Sequence, residues 1–229
     1  MVDALLHWLG YGLCHQLPER SFFAGVHQVP VCARDTGIYL GFVVSLFALW
    51  VLSRGKRPSD LPSAGIVAIA VAFIGAMVVD GVTSYAGWRG TTNEIRLATG
   101  LLAGYAMPVL MLPILNGQLW RHPGEGRVPA DARQALWWLA PLPAVFVIVR
   151  WPFEWLGIFY PLIVAAAILG TFTIVNLAVV SVLPAAEGKA ERLRDAWPWM
   201  AIAFALTVTE ISASAWFRLT VTRLAAGGR

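Results

Sequence analysis

Apolar runs at residues 36–52, 64–79, 92–115, 135–149, 159–183 and 198–217 approach the roughly 20 residues that an α-helix needs to cross bilayer hydrocarbon. They predict an all-α, polytopic transmembrane helical bundle of about six spans. Composition agrees: 58% of the 229 residues are hydrophobic and 13% charged, against about 25% charged in a soluble domain. Too few charges remain to cover a globule in water. The net charge of +4 sits in short basic groups between apolar runs and forms no stripe, so nucleic acid is excluded as a partner. These groups read as topology determinants and contacts to membrane lipids.

The apolar stretch 2–13 is too short to span and reads as an interfacial or re-entrant segment. The chain therefore divides into residues 1–35, an N-terminal interfacial helix with a Cys/His loop, and residues 36–229, the six-span bundle. No basic n-region precedes the apolar start, so insertion is expected to use the first span. Pro108 and Pro113 should kink the third span. Thr91 to Glu94 fits a capping box at its start, which accounts for Glu94 structurally. Trp137, Trp138, Trp151 and Trp155 flank the fourth span as interfacial anchors. Nine of the 17 basic residues fall in loops one-two, three-four and five-six, which leans toward extracytoplasmic termini. Parity matters more: two spans separate the N-terminal polar stretch from segment 80–96, so both must emerge on one face.

These two segments carry most of the unusual polar residues. The first holds Cys14, His15, His27, Cys32, Arg34 and Asp35. Thiolate, imidazole and carboxylate are the ligand types of a zinc-like ion, and Cys14, Cys32 and Asp35 with one histidine could supply four of them. A Cys14 to Cys32 disulfide and two free thiols are equally compatible with the residues alone. The second segment holds Asp80, Arg89, Asn93 and Arg96. Asp80 ends an apolar run and should meet an arginine there or in the N-terminal loop. Asn93, Arg96, Gly100 and Gly104 share a helical face, and the glycines would admit a close neighbouring helix. Arg20, Arg34, Arg89 and Arg96 could form a funnel for a carboxylate or phosphate. Glu210 lies deep in the sixth span, on a face with Thr207 and Ser214, and Asn176 in the fifth is expected to bond between helices.

The strings CHQLPERSFF, PVCARDTGIYLGF and DGVTSYAGWRGTTNEIRLATGLLAG resemble DUF2085, a family of bacterial and archaeal membrane proteins, over roughly the first half of the chain. The resemblance implies a multi-pass protein of a prokaryotic cytoplasmic membrane. In that family the position of Asp35 is commonly cysteine, forming a C-x-x-C pair with the residue matching Cys32. The resemblance thus favours a metal set of Cys14, His15, Cys32 and Asp35, since aspartate can replace a thiolate on zinc or another divalent metal.

The expected function is a metal- or thiol-dependent membrane enzyme acting on an anionic, lipid-like substrate. Asp80, Arg89, Asn93 and Arg96 would serve catalysis, while Arg20, Arg34 and Glu210 would bind substrate. A carrier with a polar path through Asp80 and Glu210, and an accessory or scaffold subunit, are the alternatives.

Overall fold

The structure, a computed structural model, describes residues 2–151 and 156–227. Helix α1 (Val2–Tyr11) leads through a 3-10 turn (Pro18–Arg20) and a small antiparallel hairpin, β1 (Phe23–Ala24) and β2 (His27–Gln28). The rest is helical: α2 (Ala33–Ser53), α3 (Ala64–Tyr85), α4 (Asn93–Leu119), α5 (Ala132–Leu139), α6 (Pro141–Arg150), α7 (Phe159–Ser181) and α8 (Leu193–Gly227). Among the described residues six helices are long and apolar enough to cross a membrane: α2, α3, α4, the α5–α6 pair, α7 and α8. The polytopic bundle expected from the apolar runs is what the chain forms.

Glycines set its centre. Gly100 and Gly104 of α4 lie against the backbone of α2 at Arg34 and Ile38, and Gly37 and Gly41 of α2 lie against α4 at Leu97 and Leu101. Without Cβ atoms the two helices approach closely, and dispersion contacts replace the hydrophobic drive that lipid does not supply. Helix α4 continues unbroken through Pro108 and Pro113. The fourth span breaks between α5 and α6, where Pro141 and Pro143 each lack an N–H for the preceding turn.

Trp138 corrects one expectation. It is fully buried, with its indole N–H donating to Ser45 Oγ at 3.0 Å and its ring 5.3 Å from that of Tyr105. A polar partner from α2 satisfies the indole inside the bundle, so it is a core residue. Trp137 and Trp151 are exposed, as interfacial anchors should be; Trp155 lies outside the described residues.

At ten residues α1 is about 15 Å long, half a hydrocarbon core. It leaves Leu5 and Trp8 exposed and runs against α8, the geometry of an interfacial segment. At the opposite face the loops knit together. Arg57 lies 3.6 Å over the Trp120 ring and donates to Glu191 O at 2.9 Å, and Asn116 donates to Pro58 O at 2.9 Å. Loops one-two, three-four and five-six thus share one face, as the parity of the spans requires.

Candidate functional site

Long-range side-chain bonds hold the lead-in to α2. Gln16 is buried, and its amide donates to His7 O at 2.9 Å and Pro30 O at 2.8 Å. From α8, Ser214 donates to Gly12 O at 2.8 Å, and Arg218 donates to Tyr11 O and, at 2.5 Å, to Cys14 O. The Arg218 guanidinium also stacks 4.4 Å over the Tyr11 ring. Sequence reasoning missed Gln16 and Arg218. The i, i+4, i+8 spacing of Glu210, Ser214 and Arg218 places them on one helical face and was a signal for the second.

So anchored, Cys14 meets the start of α2. The Cys14 sulfur accepts the Cys32 backbone N–H at 3.3 Å, and the Cys32 thiol lies 3.3 Å from Asp35 Oδ2. Cys32 is the N-cap residue, and Asp35 follows in the first turn on the same face, where the helix dipole favours negative charge. Donor atoms of Cys14, Cys32 and Asp35 all lie within 4.8 Å of one another, and the two thiols are unbonded.

The pair is electrostatically unequal. A hydrogen bond from the Cys32 side chain pulls the Cys14 thiol below its ordinary value, against the opposing effects of burial and the Asp35 charge. The reciprocal bond, then burial and the same carboxylate, push the Cys32 thiol up. A lowered value means thiolate at pH values where an ordinary thiol is still protonated. In chelator-treated protein Cys14 is therefore expected to alkylate with iodoacetamide with a midpoint below the usual pH of about 8.5. Cys32 should lag at every pH. Peptide mapping of labelled protein checks the order, and equal profiles for the two cysteines would refute it.

Around this cluster lies a recess of about 30 Å³ lined by Cys14, Cys32, His15, Arg20, Arg34 and Arg96, with Leu17, Ser84 and Tyr85 completing it. The N-terminal loop and segment 80–96 therefore share one site. Its volume suits an ion and a water and is too small to enclose a lipid headgroup. His15 is exposed at the margin and lies outside the trio of converging donors. Arg34 is buried, and its Nε has no hydrogen-bond partner.

Asp80, 1% exposed, is the electrostatic anchor of the wall. Arg34 donates to it at 2.5 Å and Arg89 to its other oxygen, with Thr91 at 3.0 Å and Thr99 at 3.3 Å. Arg34, Arg89 and Thr91 donate to the carboxylate, and the Thr99 hydroxyl, which lies nearer Ile95 O at 2.9 Å, sits against it, so Asp80 ties α2, α4 and the loop before α4 together. Arg89 is turned to Asp80 and to Thr83 Oγ1, at 3.0 Å, and does not line the recess. Asn93 bridges Arg96 at 3.1 Å and Glu19 O at 3.2 Å, tying α4 to the lead-in loop.

The capping box is corrected by one residue. Thr92 is the N-cap, accepting from Ile95 N at 3.3 Å, because the Thr91 hydroxyl is committed to Asp80. Glu94 instead pairs with Arg150 of α6 at 2.6 Å.

Glu210 does not line the recess. It is exposed on α8 and accepts from Asn176 of α7 at 2.9 Å, while the same amide reaches Thr207 at 3.1 Å. Asn176 thus acts between helices, as expected.

Fold and site together define a multi-pass helical membrane protein with a recess lined by thiols and arginines at one end of its two central helices, beside the Asp35 carboxylate. Residues 14–110 match the family described as "Predicted membrane protein (DUF2085)", and the chain belongs to that family. The matched segment starts at Cys14 and contains every residue lining the recess. An uncharacterised protein of Methanocaldococcus jannaschii is 35% identical over 109 residues, 48% of this chain and 67% of the relative. An uncharacterised protein of Methanothermobacter thermautotrophicus is 37% identical over 99 residues, 43% of this chain and 83% of the relative. No solved structure matches the chain.

Proposed function

We propose that the chain is a membrane-embedded, metal-dependent enzyme whose centre is Cys14, Cys32 and Asp35, and whose substrate presents a small anionic group on a lipid-like body. The observation that carries this is the convergence of three donors of zinc-binding type within 4.8 Å at the edge of a cationic recess. With Zn–S near 2.3 Å, a tetrahedral site has edges of roughly 3.8 Å, so the donors need close by no more than about 1 Å. Three protein ligands leave a fourth position open, the pattern of catalytic sites, while closed structural sites have four.

A zinc or similar divalent ion held there would supply Lewis acidity and an acidified water. Arg20, Arg34 and Arg96 would attract and orient the anionic group, and the unsatisfied Arg34 Nε is a ready donor. The recess admits only small groups, so the substrate body would stay at the membrane face. His15, which lines the recess outside the trio of donors, would serve as a proton carrier there. The carrier reading has less support, because Asp80 of α3 draws its partners from α2, α4 and the loop before α4, whereas Glu210 is bonded to α7. We assign the protein to the prokaryotic cytoplasmic membrane, with the termini outside on the loop-charge bias.

Elemental analysis of detergent-purified protein, with thiols counted before and after reduction, tests the centre. About one zinc-like ion per chain is expected. Cys14→Ser and Cys32→Ser should lose it, and Asp35→Cys should retain it. Absence of stoichiometric metal together with a Cys14 to Cys32 disulfide would overturn the proposal.

A further inference from the structure

A large cavity lies toward the other end of α2, its rim at Arg54 about 30 Å along the helix from Arg34. It is a lateral groove of about 990 Å³ between the C-terminal half of α2 and α5, closed above by the loop that follows α4. Its lower wall is apolar: Val44, Phe47, Ala48 and Val51 on α2, with Trp137 and Pro141 opposite. Phe47 and Trp137 are each 62% exposed, so the groove opens sideways, where a membrane protein meets lipid.

Its upper rim is charged. Arg54, Lys56, Arg127 and Arg133 line it, and among the described residues none makes an ion pair. Two carboxylates, Glu125 and Asp131, also line the rim. Asp131 is committed to capping α5, accepting from Gln134 N at 2.8 Å. Four cations thus face two acids, one already used. Arg54 closes α2 in the left-handed region at φ 51°, a position where glycine is the usual residue.

The dimensions point to one occupant. From Val44 to Arg54 the helix rises about 15 Å, half of a roughly 30 Å hydrocarbon core. A cationic rim thus sits one leaflet's depth above the end of an apolar trough. We propose that this groove binds one anionic phospholipid from the adjoining leaflet, its phosphate among Arg54, Arg127 and Arg133 and an acyl chain along Val44, Phe47 and Trp137. The site is independent of the metal centre and stands or falls without it. Because Arg54, Lys56, Arg127 and Arg133 lie on the face read as cytoplasmic, the lipid would come from the inner leaflet.

Native mass spectrometry of the full chain in detergent provides the test, with dioleoylphosphatidylglycerol, dioleoylphosphatidylcholine and inorganic phosphate as separate probes. One phosphatidylglycerol per chain should bind at least about tenfold tighter than phosphatidylcholine, with phosphate alone weaker than either. Arg54→Gly, which suits the local backbone, and the double variant Arg127→Gln with Arg133→Gln should each reduce that preference, the double variant by about tenfold. Ala48→Phe should reduce binding of both lipids by filling the trough. Elution as a single species and an unchanged thermal unfolding midpoint report that the variants are folded. Equal binding of the two lipids, a preference untouched by the charge variants, or phosphate binding as tight as lipid would each overturn the assignment.

Discussion

Asp80→Ala is expected to lower stability by about 3–5 kcal/mol, the usual effect of stripping one partner from a buried ion pair. Arg34 is buried and draws on Asp80 for its closest contact, with Ser84 Oγ a weaker partner at 3.5 Å. Removing the carboxylate strands that guanidinium beside apolar helices. Arg89 suffers less, because its side chain is 41% exposed and can turn to water. The size of the effect comes from the unpaired charge and not from any large net attraction within the pair, since desolvation offsets most of the Coulomb gain. A double variant, Asp80→Leu with Arg34→Met, should therefore regain most of the loss. Thermal unfolding in detergent, followed by size exclusion, reads both. If the double variant is no more stable than Asp80→Ala, the stranded-charge account is wrong.

The same pair shows how far the sequence could be read. Counting two crossings places the cysteine loop and segment 80–96 on one face, and the lone acid at the end of an apolar run requires an arginine nearby. Both deductions depend only on what hydrocarbon excludes. Which arginine, and with what helpers, depends on how α2, α3 and α4 pack, so the joint use of Arg34, Arg89, Thr91 and Thr99 was not legible. Trp138 failed for a similar reason: a tryptophan at a helix end reads as a membrane anchor until a neighbouring helix offers Ser45. Arg218 was masked by its place among basic residues near the C-terminus. The lateral groove was least legible, because α2 and α5 form it jointly from residues about 90 positions apart, and neither segment alone shows a trough.

The glycine contacts were half legible, and they carry the second large effect. The spacing of Gly100 and Gly104 announced a close approach, but only the packed structure shows that α2 answers with Gly37 and Gly41. A Cβ on Gly100 would fall 2.0 Å from Arg34 O, and one on Gly104 would fall 1.9 Å from Ile38 O. The obstacle is backbone, so no rotamer change relieves it and the helices must part. Overpacking costs about 1–3 kcal/mol where side chains can yield, and sometimes more; Gly100→Ala and Gly104→Ala should reach at least the upper part of that range. Gly75 in α3 is the internal control, since its added Cβ meets nothing within 4 Å. Alanine there should be neutral or gain up to about 1 kcal/mol from helix propensity. Gly100→Ala should also disturb the recess, because the carbonyl it displaces belongs to Arg34, between Cys32 and Asp35 on the first turn of α2. A parallel fall in thermal stability and in any metal held at the proposed centre is thus expected at Gly100, with stability alone affected more at Gly104, one turn further from the donors. Equal tolerance of alanine at positions 75, 100 and 104 would mean that α2 and α4 do not meet backbone to backbone, and the geometry that brings Cys32 and Asp35 to Cys14 would lose its support.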